Sequence, residues 1–159
     1  MVIALLAFCL SACAQTKYGI SRVYAFTAER QPGNIPVDEN GKSLYHGPDT
    51  LNFIYIESGK QQVLWDMAWK NGRTYSVEVV RVNENPLVIG ERKSDNNKMI
   101  ITRAGGNTLW RVSLVPSENN IPAPQKLRYN EILLRGKFGG KTIFQKIAQP
   151  VELLLPPSV

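Results

Sequence analysis

Residues 63–80, VLWDMAWKNGRTYSVEVV, decide the fold class of this chain. Apolar and polar residues alternate over both halves of the stretch, and this alternation is typical of β-strands that bury one face. The two halves are separated by Asn71-Gly72, which is the strongest short signal for a tight hairpin turn. The stretch therefore predicts two antiparallel strands that are joined by a short loop.

The length of this loop decides which strand face is buried, because a slip of one residue turns a whole strand over. A two-residue loop would place Asp66 opposite Val77. A three-residue loop over residues 70–72 instead aligns the apolar residues of both strands. It pairs Val63 with Val79, Trp65 with Val77 and Met67 with Tyr75. We therefore predict the three-residue loop.

Similar alternation recurs along the whole chain, and helical periodicity is almost absent. Clusters of Gly, Pro, Asn and Asp separate the strand-like runs about every ten residues, which is typical of all-β proteins. The predicted strands are residues 19–28, 50–57, 62–69, 73–82, 87–90, 98–104, 108–115, 126–135, 141–148 and 151–155.

Two further hairpins are predicted from their turns. The Gly59-Lys60 turn joins a strand to the first hairpin, and the Gly105-Gly106 turn makes a separate one. The predicted pairs are Ile56 with Val63, Ile54 with Trp65, Ile101 with Trp110 and Met99 with Val112. These hairpins present two sets of apolar faces that can pack on each other. We therefore predict an all-β fold, a two-sheet antiparallel β-sandwich of immunoglobulin-like architecture.

The first predicted sheet is also partly apolar on its other face, although a sheet with one solvated face should carry polar residues there. Two interpretations stay open. Either the face is buried, because a terminal segment of the chain covers it or because it is itself the core face, or it is an exposed patch that binds a partner, a lipid or a ligand. Trp69 lies near the hairpin tip, beside Arg73, and is predicted to be exposed. The candidate binding patch consists of Phe53, Tyr55, Leu64, Trp69 and Val80.

The first twelve residues form an uncharged apolar leader, and Leu10-Ser11-Ala12-Cys13 lies at its end. This run resembles the lipobox of bacterial lipoproteins, which is a leucine, two small residues and a cysteine. The resemblance implies cleavage before Cys13 and a lipid anchor on its sulfur, and two or three acyl chains anchor a protein stably. With Ala14 after the cysteine, the resemblance implies transit to the outer membrane. One alternative is cleavage after Ala14, which would release a secreted or periplasmic protein that begins at Gln15. Another is that the apolar segment is a buried N-terminal strand.

These features divide the chain into a signal peptide of residues 1–12 and a single β-sandwich domain of residues 13–159 with a short N-terminal tether. The formal net charge is +6. The basic residues are spread along the chain without a dense run, so we predict no nucleic-acid partner. We expect the membrane to be one partner, through the lipid on Cys13, and an envelope protein or a glycan to be another.

Motifs for catalysis and metal binding are weak. His46 lies in a predicted loop, without the nucleophile and the orienting group that a hydrolase needs. Zinc is disfavoured because the chain offers one histidine and no spare thiol. We predict no catalytic residue, no metal site and no cofactor. The expected function is that of a non-enzymatic cell-envelope lipoprotein, a binding or structural accessory module. Two alternatives stay open: a secreted or tethered hydrolase of cell-wall or glycan material, and a loop-presenting inhibitor of a periplasmic or host enzyme.

Overall fold

The computed structural model describes residues 18–30, 37–42 and 49–154, and these residues form an all-β fold. Its strands are β1 (Ile20–Arg30), β2 (Asp49–Ser58), β3 (Leu64–Lys70), β4 (Arg73–Val82), β5 (Leu87–Arg92), β6 (Lys98–Ile101), β7 (Thr108–Pro116), β8 (Ile132–Phe138), β9 (Lys141–Ile147) and β10 (Val151–Leu154). The prediction of an all-β fold is confirmed. The largest error in a strand boundary concerns β8, predicted to start at residue 126. Asn130 has a positive φ of 63° in a turn, and the strand begins after it.

All of these strands belong to one mixed sheet, in the order β6-β5-β10-β1-β2-β7-β4-β3-β8-β9. Neighbours are antiparallel except β1 and β10, which are parallel. The described strands thus form one hydrogen-bonded sheet where two were predicted. The reason is that β7 pairs with both β2 and β4, so that Val112 lies between Ile54 and Val79. The apolar face that was assigned to a second sheet is therefore continuous with the first.

The sheet curls because its central strands are apolar on both faces. On β2, Ile54 and Ile56 point to one face and Tyr55 to the other, and all three are buried. Strands β3, β8 and β9 close over one face. The first core lies between them and the central strands, and it consists of Ile20, Ile54, Ile56, Val63, Trp65, Ala68, Val112, Ile132, Leu134, Ile143 and Ile147. Strands β5, β6 and β10 close over the other face. The second core lies there, and it consists of Phe26, Ala28, Tyr55, Val82, Ile101, Leu109 and Leu153.

The hairpin of β3 and β4 has a two-residue loop, so the predicted three-residue loop is wrong. Lys70 pairs with Arg73, and Asn71-Gly72 has positive φ at both residues, 49° and 74°. Turns of this kind match the twist of the strands that they join. The apolar alternation misled the prediction because the pairing of β3 with β8 shifts by one residue between Trp65 and Met67. This β-bulge allows Trp65 and Ala68 to face the same core.

The other two predicted hairpins do not form. Strand β2 pairs with β1 and β7 rather than with β3, and β6 pairs with β5 rather than with β7. Ile56 and Val63 still share the first core, although they are not cross-strand neighbours. Ile101 and Val112, in contrast, fall in different cores. Both turns are present, but the strands on either side of each turn are not neighbours in the sheet.

Gly136 of β8 pairs with Trp65 of β3, and its replacement tests how tightly this region is packed. A Cβ atom at Gly136 would lie 2.7 Å from Val63 Cγ1, 2.8 Å from Trp65 Cε3 and 2.9 Å from the Leu64 carbonyl oxygen. We expect Gly136→Ala to lower the free energy of unfolding by about 1–3 kcal/mol, because a packed core must shift to admit the methyl group. Urea denaturation measures this loss. Gly105→Ala is the matched control, since nothing lies within 4 Å of its added Cβ. Equal losses in both variants would contradict the predicted crowding.

Candidate binding site

An open cavity of about 390 Å³ lies beside β1, where the chain passes from β9 to β10. It exists because these two strands have different neighbours. Strand β9 pairs with β8, whereas β10 pairs with β1 between Phe26 and Ala28. Residues 148–150 connect the two strands. Among the described residues, the first half of β1 is therefore left without a neighbouring strand on this side.

The walls of this cavity are mainly apolar. Val23 and Ala25 pack against the first core, and Phe26 belongs to the second, so the cavity lies where the two cores meet at the edge of β1. The other lining residues are Tyr24, Met99, Lys146, Ile147, Ala148, Gln149 and Val151. A concave apolar surface with a few polar groups is typical of a site for a small ligand.

Lys146 is held beside the cavity by an ion pair. Its Nζ lies 2.7 Å from Glu131 Oε2, and the Lys146 side chain stays 42% exposed. The hydrogen bond from Lys146 lowers the pKa of Glu131, and the main-chain N–H of Arg128, which donates to the same oxygen, is the second cause. Because it is oriented and still exposed, the ammonium group can also meet an acidic group of a ligand.

The predicted binding patch is not one exposed surface. Tyr55 is 7% exposed and Trp69 is 4% exposed, so the prediction that Trp69 is exposed is wrong. Phe53 is half-buried and packs against the second core. Leu64 and Val80 are 66% and 49% exposed, on the neighbouring strands β3 and β4. Of the five candidate residues, these two are the ones that a partner could reach without a rearrangement.

Two covering segments explain why the other residues of the patch are buried. Residues after β7 cover Trp69, whose Nε1–H donates a hydrogen bond of 2.8 Å to the Ile121 carbonyl oxygen. Tyr55 packs edge-on against Phe26, with ring centroids 6.4 Å apart, and Leu153 of β10 belongs to the same core. Burial raises the pKa of Tyr55. A strand near the C-terminus thus covers this face, which was one of the two interpretations of its apolar character.

Glu57 is a buried carboxylate that the sequence analysis missed. It is fully buried at the end of β2. Its Oε1 accepts hydrogen bonds from the main-chain N–H of Ala104 at 3.0 Å and from Asn107 Nδ2 at 2.7 Å. Asn107 Nδ2 also donates to Ser21 Oγ at 3.2 Å. Glu57 therefore ties the loop between β6 and β7 to the ends of β2 and β1. The sequence signal that could have indicated its burial is its position directly after the apolar residues 53–56.

Lys70 is a second buried charged group that was missed. It is 4% exposed, and its Nζ donates a hydrogen bond to Asn52 Oδ1. Burial lowers the pKa of Lys70. The predicted three-residue loop would have placed this lysine in an exposed turn. The two-residue loop instead makes it the last residue of β3, on the same side of the strand as the buried Ala68.

Several residues named in the sequence analysis cannot be placed in the fold. Cys13, the leader of residues 1–12 and His46 lie outside the described residues. Within the described ranges, no three His, Cys, Asp or Glu side chains are grouped so as to hold a metal ion. The same ranges contain no helix that is long and apolar enough to cross a membrane. In comparisons with known proteins, no family model, no curated protein and no solved structure matches this chain.

The buried amine of Lys70 predicts a stability that increases with pH. Folding lowers the pKa of Lys70 below its ordinary value of 10.5, so the unfolded chain binds more protons between the folded pKa and 10.5. The contribution of Lys70 to the free energy of unfolding therefore rises with pH across this window. Urea denaturation from neutral pH to about 10.5 measures the rise, using the ordinary lysine value as the upper limit. We expect a smaller rise in Lys70→Met and an unchanged rise in Lys98→Met, which removes an exposed lysine. The same rise in Lys70→Met as in the wild-type protein would contradict the prediction.

Proposed function

We propose that the protein is a bacterial cell-envelope lipoprotein, anchored in the outer membrane through Cys13, that acts as a non-enzymatic binding module. The anchor is supported by the lipobox-like run Leu10-Ser11-Ala12-Cys13. The binding role is carried by one observation, the apolar cavity beside β1. Its size falls within the usual range of ligand pockets, which is about 300–1,000 Å³.

The number of residues between Cys13 and β1 limits how far the proposed anchor can lie from the cavity. Seven residue steps separate Cys13 from Ile20, the first residue of β1, and the cavity is lined by residues 23–26 of that strand. An extended chain spans at most about 3.6 Å per residue, so the anchor lies within roughly 25 Å of β1. The cavity would then be held close to the membrane surface.

This position favours an amphipathic ligand. A hydrocarbon chain fits the apolar walls formed by Val23, Phe26 and Val151, and an acidic head group would meet Lys146. Each methylene that leaves water contributes roughly 0.8 kcal/mol, so even a short buried chain gives measurable affinity. Lipids and the apolar parts of other envelope molecules are ligands of this class.

The immunoglobulin-like sandwich is kept as a proposal about how the layers pack. It is supported by the way in which β3, β8 and β9 lie over one face of the central strands, as the facing layers of a sandwich do. In this proposal the curled sheet is an equivalent of two sheets, joined without a break through β4 and β3.

The intact mass of the mature protein tests the anchor. After expression in a bacterium with its own leader, we expect the chain to begin at Cys13, to carry acyl groups and to sediment with membranes. Cys13→Ser should leave the membrane fraction, because its hydroxyl cannot form the thioether link to the lipid. An unmodified chain that begins at Gln15 would contradict the anchor and would support secretion.

Filling the cavity tests the binding role. Ala148 lines the cavity and is exposed. We expect Ala148→Trp to weaken binding of a fluorescent fatty acid by about tenfold, because excluding two methylenes from the cavity already costs roughly 1.6 kcal/mol. Fluorescence titration of the Cys13→Ser protein measures the affinity. Ala104→Trp, at an exposed alanine that does not line the cavity, is the matched control. If both variants bind as tightly as the parent protein, this cavity is not the ligand site.

A further inference from the structure

Among the residues that line the cavity beside β1, all of them in the described part of the chain, Lys146 is the one with a charged side chain. It lies on β9 directly before Ile147, which belongs to the first core. Because successive side chains of a strand point to opposite faces, Lys146 points away from this core. The groups that its ammonium contacts therefore decide how the cavity responds to the charge of a ligand.

Glu131, the partner of this ammonium, is held in a fixed position by a turn. The Arg128 N–H donates a hydrogen bond of 2.7 Å to Glu131 Oε2, and the Glu131 N–H donates one of 3.1 Å to the Arg128 carbonyl oxygen. Two more hydrogen bonds, of 2.8 Å and 3.1 Å, join Asn130 to Asn71 in the loop between β3 and β4. The Glu131 side chain is 15% exposed. Its carboxylate is therefore placed by the fold and does not depend on Lys146 for its position.

Lys146 can leave this ion pair while the carboxylate keeps a hydrogen bond. The Lys146 side chain is 42% exposed, and a lysine ammonium is a point charge with three N–H donors on a flexible stem. The oxygen that it contacts, Glu131 Oε2, also accepts the hydrogen bond from the Arg128 N–H. When the ammonium turns away, this second hydrogen bond remains. The ion pair thus consists of a fixed acceptor and a movable donor.

An acidic head group in the cavity would compete with Glu131 for this ammonium. Two carboxylates that share one site repel each other, so both cannot contact Lys146 at full strength. Binding of an acidic ligand therefore replaces one ion pair by another. A neutral ligand of the same chain length leaves the pair of Lys146 and Glu131 intact. The strength of this pair is thus subtracted from the affinity for acidic ligands and not from the affinity for neutral ones.

We propose that Glu131 is a specificity-determining residue of the cavity, which holds Lys146 in the ligand-free protein and releases it to the acidic head group of an amphipathic ligand. The inference rests on the proposed function, and it adds that binding is an exchange of ion-pair partners. Because one ammonium is exchanged, the ligand class is an amphiphile with one acidic group, such as a fatty acid. Glu131 weakens the binding of such a ligand and thereby keeps it readily reversible.

Fluorescence titration of the Cys13→Ser protein tests the exchange with two probes, a fluorescent fatty acid and the alcohol that has the same chain and fluorophore. The titration is done at mildly alkaline pH, where the fatty acid is ionised. Glu131→Gln keeps an oxygen that can accept the Arg128 N–H, but it removes the negative charge. We expect Glu131→Gln to bind the acid about threefold more tightly, within the range measured for exposed ion pairs, and to bind the alcohol as the parent protein does. Glu78→Gln removes an exposed carboxylate of β4 outside the cavity. As the matched control for net charge, it should leave both affinities unchanged.

A double-mutant cycle separates this role from a general effect on the fold. Lys146→Met should weaken binding of the acid and leave binding of the alcohol unchanged, and the gain from Glu131→Gln should be smaller in Lys146→Met than in the parent protein. The inference would be overturned by an unchanged affinity of Glu131→Gln for the acid, by an equal change for both probes, or by an equal gain with and without Lys146. Binding of the acid by the parent protein would then still support the proposed function. If the parent protein binds neither probe, the proposed binding function is wrong and the inference falls with it.

Discussion

The structure depends on one constraint: its central strands are apolar on both faces. A flat sheet could cover one of these faces by packing on a second sheet, but the other face would stay in water. This chain covers both with a single sheet, because β3, β8 and β9 at one end close over the face of Ile54 and Ile56. Strands β5, β6 and β10 at the other end close over the face of Tyr55. The two cores are therefore separate, and the cavity lies where they meet, at the edge of β1.

The local elements of this fold could be predicted from the sequence, because each depends on neighbouring residues. Alternation located the strands, and the small polar residues between them located the turns. The register of β3 and β4 was missed because the bulge near Asp66 breaks the alternation on which the prediction relied. The strand order was missed for a different reason. Nothing within residues 54–65 indicates that Ile56 pairs with Trp110 and Val23 instead of Val63. Such pairings are decided by the packing of distant segments.

The candidate site was harder to predict than the fold, because it is made by strands that are far apart in sequence. The cavity lies between β9, which pairs with β8, and β10, which pairs with β1. No local sequence pattern at residues 148–150 indicates this change of pairing partner. The exposed patch was inferred from an apolar face that β10 covers, so Tyr55 is core. Glu57 was not singled out from the sequence, and the predicted three-residue loop placed Lys70 in a turn. Their burial follows from the loop that docks on Glu57 through Asn107, and from the register of the β3–β4 hairpin.

Strand β10 also determines when folding can finish. The hairpin of β5 and β6 joins the rest of the sheet through β10, which comes last along the chain among the described strands. Residues 87–101 are therefore synthesised well before their neighbour, and the second core lacks Leu153 until the final strand has emerged. Contacts between such distant segments form slowly, because a large loop must close before the contacts can stabilise it. Among the described residues, β10 is therefore the strand whose synthesis completes both the sheet and the second core.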